Sequence, residues 1–187
     1  MDFIIFFLLS ISLSFDTFAV SVSSSLAIKE ANLINILKIS FTLGLFQGLM
    51  LLLGWLAGNS IKTYIIQTDH WIAFGLLFIL GIKMILEGLK KDDNKKKNFN
   101  PLNLFVLLSI SIATSIDALA AGISYAFLGE NILIASLILT LITIIVSILG
   151  ILTGKNVGLL LGKRLEIIGG IILILIGTKI LIEHTLL

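Results

Sequence analysis

Asp16 and Asp117 each interrupt a long apolar run near its midpoint. A carboxylate at the centre of a bilayer-length segment costs roughly 2.5–3.5 kcal/mol on insertion scales, and such residues normally face a partner or a water-filled cavity. Two of them on neighbouring helices repel each other when ionised, so the pair calls for a cation. A divalent metal supplies one and a proton is the other occupant; exchanging the two across a membrane makes a pump. Other polar groups fall at similar depth: Gln47 near the centre of a second apolar run, and Thr143 and Ser147 in the central and inner part of another. The donor set Asp16, Asp117, Gln47, Thr143 and Ser147 is therefore all oxygen, which suits Mn²⁺, Mg²⁺ or Ca²⁺ better than copper or zinc. For the two hydroxyls the plainer alternative is a bond to their own backbone one turn earlier. His70 and His184 stand at segment ends, and the chain has no cysteine, which removes thiolate metal sites, disulfides and thiol catalysis. The metal is expected as a transported substrate, with no resident cofactor.

The elements that must position these groups follow from composition. The 187 residues are 58% hydrophobic and 13% charged, with a mean hydropathy of +1.15, whereas a soluble domain is roughly one quarter charged. Spanning hydrocarbon takes about 20 apolar residues at ~1.5 Å each. Six stretches qualify, near 3–28, 33–57, 69–89, 102–128, 131–154 and 165–186, with little chain left over for a soluble domain. The first is expected to be a retained span, because Asp2 replaces the basic start of a signal peptide and the apolar run is too long. Pro101, the one proline, opens the fourth segment, where a missing N–H costs least.

Basic residues set the orientation. Taking faces alternately, one collects Lys29, Lys38, Lys90, Lys91, Lys95, Lys96, Lys97, Lys155, Lys163 and Arg164, and the other has Lys62. The rich face is cytoplasmic by the positive-inside rule, so both termini point outward and KKDDNKKKNFN (90–100) is the main cytoplasmic loop. That run is read as a topology signal; a net charge of +2 gives no reason to expect a nucleic-acid partner, and the partner implied is the lipid bilayer. No feature of the spacing fixes an oligomeric state.

The chain also repeats. The aspartates are 117 − 16 = 101 residues apart, and at that offset Ser10, Ser14, Thr17 and Ser21 fall opposite Ser111, Ser115, Ala118 and Gly122. Ser12, Asp16, Ala19 and Ser23 fall opposite Ala113, Asp117, Ala120 and Ser124. Both sets step by four, three and four, as stripes along a helix do. GIKMILE (81–87) likewise matches GTKILIE (177–183). Each half would be three helices, and an odd number of spans turns the second copy upside down, as in many secondary transporters with midplane sites. The expected fold is an all-α membrane protein of six transmembrane helices in two inverted three-helix repeats, 1–90 and 101–187, joined by the cytoplasmic loop 91–100. Small residues let helices approach in lipid, so the first and fourth are expected to touch, and Gly150, Gly154, Gly158 and Gly162 suggest another close approach. Lys83 with Glu87, and Lys179 with Glu183, stand one turn apart and read first as pairs snorkelling to the interface, with gating or proton relay as the alternative. Trp71 reads as a belt residue.

Taken together, SFDTFAVS (14–21), LGLFQ (43–47), GW (54–55), HWIAFGLL (70–77), GIKMILEG (81–88), ATSIDALAAG (113–122) and RLEIIGG (164–170) resemble the MntP-type manganese efflux pumps of bacterial inner membranes, within the LysE-like exporter superfamily. The likeness runs through almost the whole chain. It implies six helices with outward termini, export of Mn²⁺ from the cytoplasm, and functional roles for Asp16 and Asp117; it supports Gln47 as well. Thr17 departs from the alanine the family pattern favours, and a hydroxyl there bears on hydration and metal preference. Two other classes stay open: an intramembrane hydrolase whose aspartates form a dyad, and an assembly subunit whose polar residues only hold helices together. The first lacks a GxGD-like context and has no proline in its final third; the second leaves two costly carboxylates without a use.

Overall fold

The computed structural model describes residues 3–28, 32–62, 69–89, 100–128 and 131–185. The loop over 90–99 lies outside the described residues, as do the side chains of His70, Glu87, Lys155, Glu183 and His184. All seven elements are helices: α1 (Phe3–Leu13), α2 (Phe15–Ala27), α3 (Leu33–Lys62), α4 (Asp69–Leu89), α5 (Leu104–Thr114), α6 (Ile116–Leu128) and α7 (Ile132–Thr185). Four stretches are long and apolar enough to cross a bilayer: Phe6–Ala27, Leu33–Ser60, Leu104–Phe127 and Ile132–Gly154. Two shorter apolar stretches, Phe74–Leu86 and Ile167–Lys179, lie within α4 and the C-terminal part of α7.

An asparagine begins three of the helices. Asn32 Oδ1 accepts from the Asn35 N–H at 2.9 Å, Asn103 Oδ1 from Phe105 N–H at 3.0 Å, and Asn131 Oδ1 from Leu133 N–H at 3.1 Å. Each satisfies an amide that the first turn leaves without a helical partner. Leu33, Leu104 and Ile132 then start apolar runs.

The interior and exterior are the reverse of a soluble protein's. Leu45, Leu49, Leu53 and Leu56 on α3, and Leu137, Leu141, Ile145, Leu149 and Leu152 on α7, are exposed rows of large apolar side chains. Among the described residues sixteen polar or charged ones are meanwhile buried, including Ser10, Ser14, Thr17, Ser21, Gln47, Ser111 and Asp117. Rows of that kind belong against lipid. Leu13, Leu51, Leu77, Met84, Leu139 and Leu173 fill the largest apolar core cluster at 1% exposure or less.

Helix packing runs through glycines. Gly54 and Gly58 of α3 lie against Leu119, Gly122, Ile123 and Ala126 of α6, while Gly150 and Gly154 of α7 lie against Phe18, Ser21, Val22 and Ser25 of α2. These two sets of contacts correspond at constant offsets, 150 − 54 = 96 and 119 − 18 = 101. Gly81 meets Gly170 and Gly177 meets Phe74, a pair of contacts that also exchange at an offset of 96. The serine stripes on α2 and α6 therefore do not pack mainly on each other, as the small-residue pattern suggested; each takes a glycine face of a third helix.

The 54-residue α7 would be about 80 Å long if straight. Its contacts turn back instead. Between Gly150 and Gly154 it moves from Phe18 toward Ser25, yet Gly169 lies against Ser12 and Phe15. The direction along α1 and α2 has reversed between 154 and 169, so α7 has two arms running opposite ways where the sequence suggested a break between 154 and 165. Helical hydrogen bonding nevertheless continues through that region.

Candidate functional site

The first and fourth apolar segments each break at one serine. Ser14, at φ −89° and ψ −4°, separates α1 from α2, and Ser115, at φ −90° and ψ 2°, follows α5. Both occupy the sparsely used bridge region between helical and extended backbone. Tightened turns form there: Ser14 N–H donates to the Ile11 carbonyl at 3.1 Å, and Ser115 N–H is shared between the Ser111 and Ile112 carbonyls at 3.1 and 3.2 Å. Asp16 and Asp117 sit immediately after the breaks, in the first turns of α2 and α6. A helix N-terminus has free amides pointing toward an anion there.

Asp16 uses one of those amides. Its Oδ1 accepts the Thr17 N–H at 2.5 Å and the Thr17 hydroxyl at 3.3 Å. The Leu13 carbonyl, across the break, is met from another helix: Gln47 Nε2 on α3 donates to it at 3.2 Å and to Thr17 Oγ1 at 3.2 Å. These two bonds fix which way the amide faces. Gln47 is wholly buried, and its Oε1 has no hydrogen-bond partner. A buried acceptor without a partner costs on the order of 1–3 kcal/mol, so an oxygen held that way calls for a ligand. Thr17, the departure noted in the sequence, is the side chain that joins Asp16 to Gln47.

Asp117 is 5% exposed at its side chain and makes an ion pair with Lys83 of α4, whose Nζ lies 2.5 Å from Oδ1. The expectation that Lys83 reaches the interface is thus corrected: its ammonium turns inward to a carboxylate on α6, whose backbone crosses near α4. Asp16 is also within electrostatic reach of both Asp117 and Lys83. Asp16, Gln47, Asp117 and Lys83 therefore form one charged neighbourhood drawn from α2, α3, α6 and α4.

The two hydroxyls proposed from sequence bridge helices. Thr143 Oγ1 of α7 is 3.0 Å from Ser14 Oγ at the first break, while Ser147 Oγ is 2.8 Å from Ser21 Oγ and donates to Ser40 Oγ at 3.0 Å. Neither is bonded simply to its own preceding turn. Thr143 is brought to the broken segment; Ser147 is engaged further along α2, at Ser21, and with Ser40 of α3. Among the described residues no three His, Cys, Asp or Glu side chains converge; the acidic oxygens that could meet a cation here are those of Asp16 and Asp117, with amide, hydroxyl and carbonyl oxygens around them. Sequence reasoning paired Lys83 with Glu87 and not with Asp117, and it missed the Leu13 carbonyl. The break at Ser14 carries no Gly or Pro to announce it, and Lys83 is a partner only because of how α4 crosses α6.

Replacing Gln47 by leucine tests this cluster. The Leu13 carbonyl and Thr17 hydroxyl lose their donor, and an interhelical bond in a membrane is worth about 0.6–2 kcal/mol. Gln47→Leu is expected to lower unfolding stability by that order in a detergent titration and to weaken divalent-cation binding more strongly than stability.

Apolar spans, an apolar exterior and a buried Asp117 beside a half-buried Asp16 mark a multi-pass membrane protein. The chain matches the family model described as "Putative manganese efflux pump" over residues 30–181 and belongs to that family, MntP. Curated relatives named "Putative manganese efflux pump MntP" are 47% identical in Methanosarcina barkeri over 186 residues, 100% of this chain and 99% of the relative. In Gloeothece citriformis the identity is 45% over 176 residues, 94% and 93% of the two chains, and in Syntrophotalea carbinolica 40% over 186 residues, 100% and 99%. No solved structure matches the chain. The hydrolase reading gains nothing from these relatives.

Proposed function

We propose that this chain exports Mn²⁺ from the cytoplasm across the cell's inner membrane, holding the ion between Asp16 and Asp117 with the Gln47 amide oxygen as a third ligand. Thr143 and Ser147 complete the polar lining, Thr143 nearest the ion. The observation that carries the reading is the buried Gln47 Oε1, partnerless while its own Nε2 is tied to the turn that presents Asp16. Hard oxygen donors of this kind suit Mn²⁺, and the names of the relatives agree.

Transport proceeds by alternating access of two inverted triplets, 1–90 and 101–187, in six crossings with both termini outside. The contacts that correspond at offsets of 96 and 101 and the twin breaks at Ser14 and Ser115 support the repeat. The reversal of α7 supports a fifth and a sixth crossing within it. Ion sites between inverted repeats and at interrupted helices are the usual arrangement in such carriers. Opening toward either side needs only that the triplets rock about a site whose ligands come from both.

The test is accumulation. Cells lacking the protein should hold more manganese and tolerate less of it, and everted vesicles containing the protein should take Mn²⁺ up; vesicles that gain no Mn²⁺ would overturn the reading. Protons and metal compete for the same carboxylate oxygens, and metal needs them deprotonated. Mn²⁺ affinity is therefore expected to fall as pH is lowered. A titration of binding against pH that stays flat would remove the carboxylates from the site.

A further inference from the structure

The Lys83–Asp117 pair places a cation where the proposed function places the cargo. A lysine within a membrane span normally extends its ammonium to the headgroups. The Lys83 side chain is 41% exposed, yet its Nζ lies 2.5 Å from a carboxylate that is 5% exposed. The carboxylate is fixed in the first turn of α6, so the lysine is the mobile partner. Asp16 differs: its Oδ1 takes an N–H and an O–H from Thr17. One carboxylate of the site is thus in direct contact with the ammonium, and the other is met by neutral donors with that ammonium only within electrostatic reach.

Asp117 Oδ1 cannot keep the ammonium at that separation and also bind a divalent ion, because two cations on one oxygen repel strongly in a medium of low dielectric. We propose that Lys83 is a tethered competitor for the cation site: its ammonium occupies Asp117 when the cargo is absent, swings aside when the metal binds, and returns as the metal leaves. This rests on the reading of Asp117 as a metal ligand. The ammonium weakens binding enough for release, and it keeps the empty carrier from turning over with two uncompensated buried charges, which the apolar zone penalises. Its exposed stem leaves the head group room to withdraw.

Equilibrium binding of Mn²⁺ to the full chain in lipid nanodiscs, read from the electron paramagnetic resonance signal of the free ion, tests this. Lys83→Met is expected to bind Mn²⁺ about tenfold more tightly than the unaltered chain, within the ordinary range of coupling between two sites, while Mn²⁺ uptake by everted vesicles slows. Lys83→Arg keeps a cation and is expected to retain near-normal affinity. In an Asp117→Asn background, Lys83→Met is expected to change affinity no further, since the competition needs the carboxylate. If Lys83→Met does not insert, Lys83→Gln reads the same shift. Affinity unchanged or weakened by losing Lys83, while Asp117→Asn abolishes binding, would make Lys83 a structural counter-charge and overturn the proposal alone. Wild-type binding by both Asp16→Asn and Asp117→Asn would overturn the carboxylate site beneath it.

Discussion

Everted vesicles carrying Asp117→Asn are expected to accumulate no more Mn²⁺ than vesicles without the protein, and Asp16→Asn is expected to do the same. An amide keeps the shape of the side chain and one acceptor oxygen but removes the charge that offsets a divalent ion in a region of low dielectric. Removing one member of a buried, hydrogen-bonded charge pair typically costs 2–5 kcal/mol or more, which is roughly thirty- to several-thousand-fold in affinity. The loss falls on binding and not on assembly, because the neutral side chain costs less to insert at the bilayer centre than the carboxylate does. The two variants differ in one respect. Asp117→Asn releases Lys83, whose half-exposed side chain can then extend toward the interface, whereas Asp16→Asn leaves the Lys83–Asp117 pair intact and keeps the Thr17 contacts within reach of the new amide oxygen. Both proteins should appear in the membrane at normal level by immunoblot. Normal manganese export by either variant would remove that residue from the site.

Much of this arrangement was legible because the bilayer makes certain residues expensive. Asp16, Asp117 and Gln47 stand out in apolar surroundings, and their positions alone marked them. The small-residue stripes were equally visible, and the first is fully buried from Ser10 to Ser21. What the stripes meet was not visible, since a face of serines accepts any close backbone, and here it takes Gly150 and Gly154 instead of its counterpart on α6. Lys83 shows the same boundary from the other side. Spacing along one helix pointed to Glu87, four residues on, because sequence reports neighbours within a helix directly. The crossing of α4 over α6, which delivers the ammonium to Asp117, depends on three-dimensional packing that no single segment encodes. The turn-back of α7 was anticipated from the basic cluster Lys155, Lys163 and Arg164, yet the backbone there stays helical, since that stretch contains no proline and its leucines favour helix.

Gly122→Leu is expected to prevent the protein from reaching the membrane in folded form. A Cβ at Gly122 would run into the Leu51 carbonyl oxygen and come within 2.9 Å of the Trp55 amide nitrogen. Both obstacles are main-chain atoms of α3, so no rotamer change relieves them; α3 and α6 would have to part. From the other helix, Gly54 faces the same contact, its added Cβ 2.8 Å from the Leu119 carbonyl carbon. Overpacking a well-filled core costs about 1–3 kcal/mol or more, and in lipid, where helices associate through close packing and polar contacts instead of a hydrophobic drive, little offsets it. Gly75, on α4, is the internal control, because nothing lies within 4 Å of its added Cβ; Gly75→Ala should leave stability unchanged or raise it by up to about 1 kcal/mol through helix propensity. Fluorescence-detected gel filtration of tagged variants separates the cases. Gly122 lies five residues beyond Asp117 on α6, and Leu51 four beyond Gln47 on α3, so the contact that tolerates no side chain also sets the distance between a carboxylate and the partnerless amide oxygen. A milder change, Gly122→Ala, should therefore weaken Mn²⁺ binding in whatever fraction still folds, linking this close approach of α3 and α6 to the geometry of the proposed ion site.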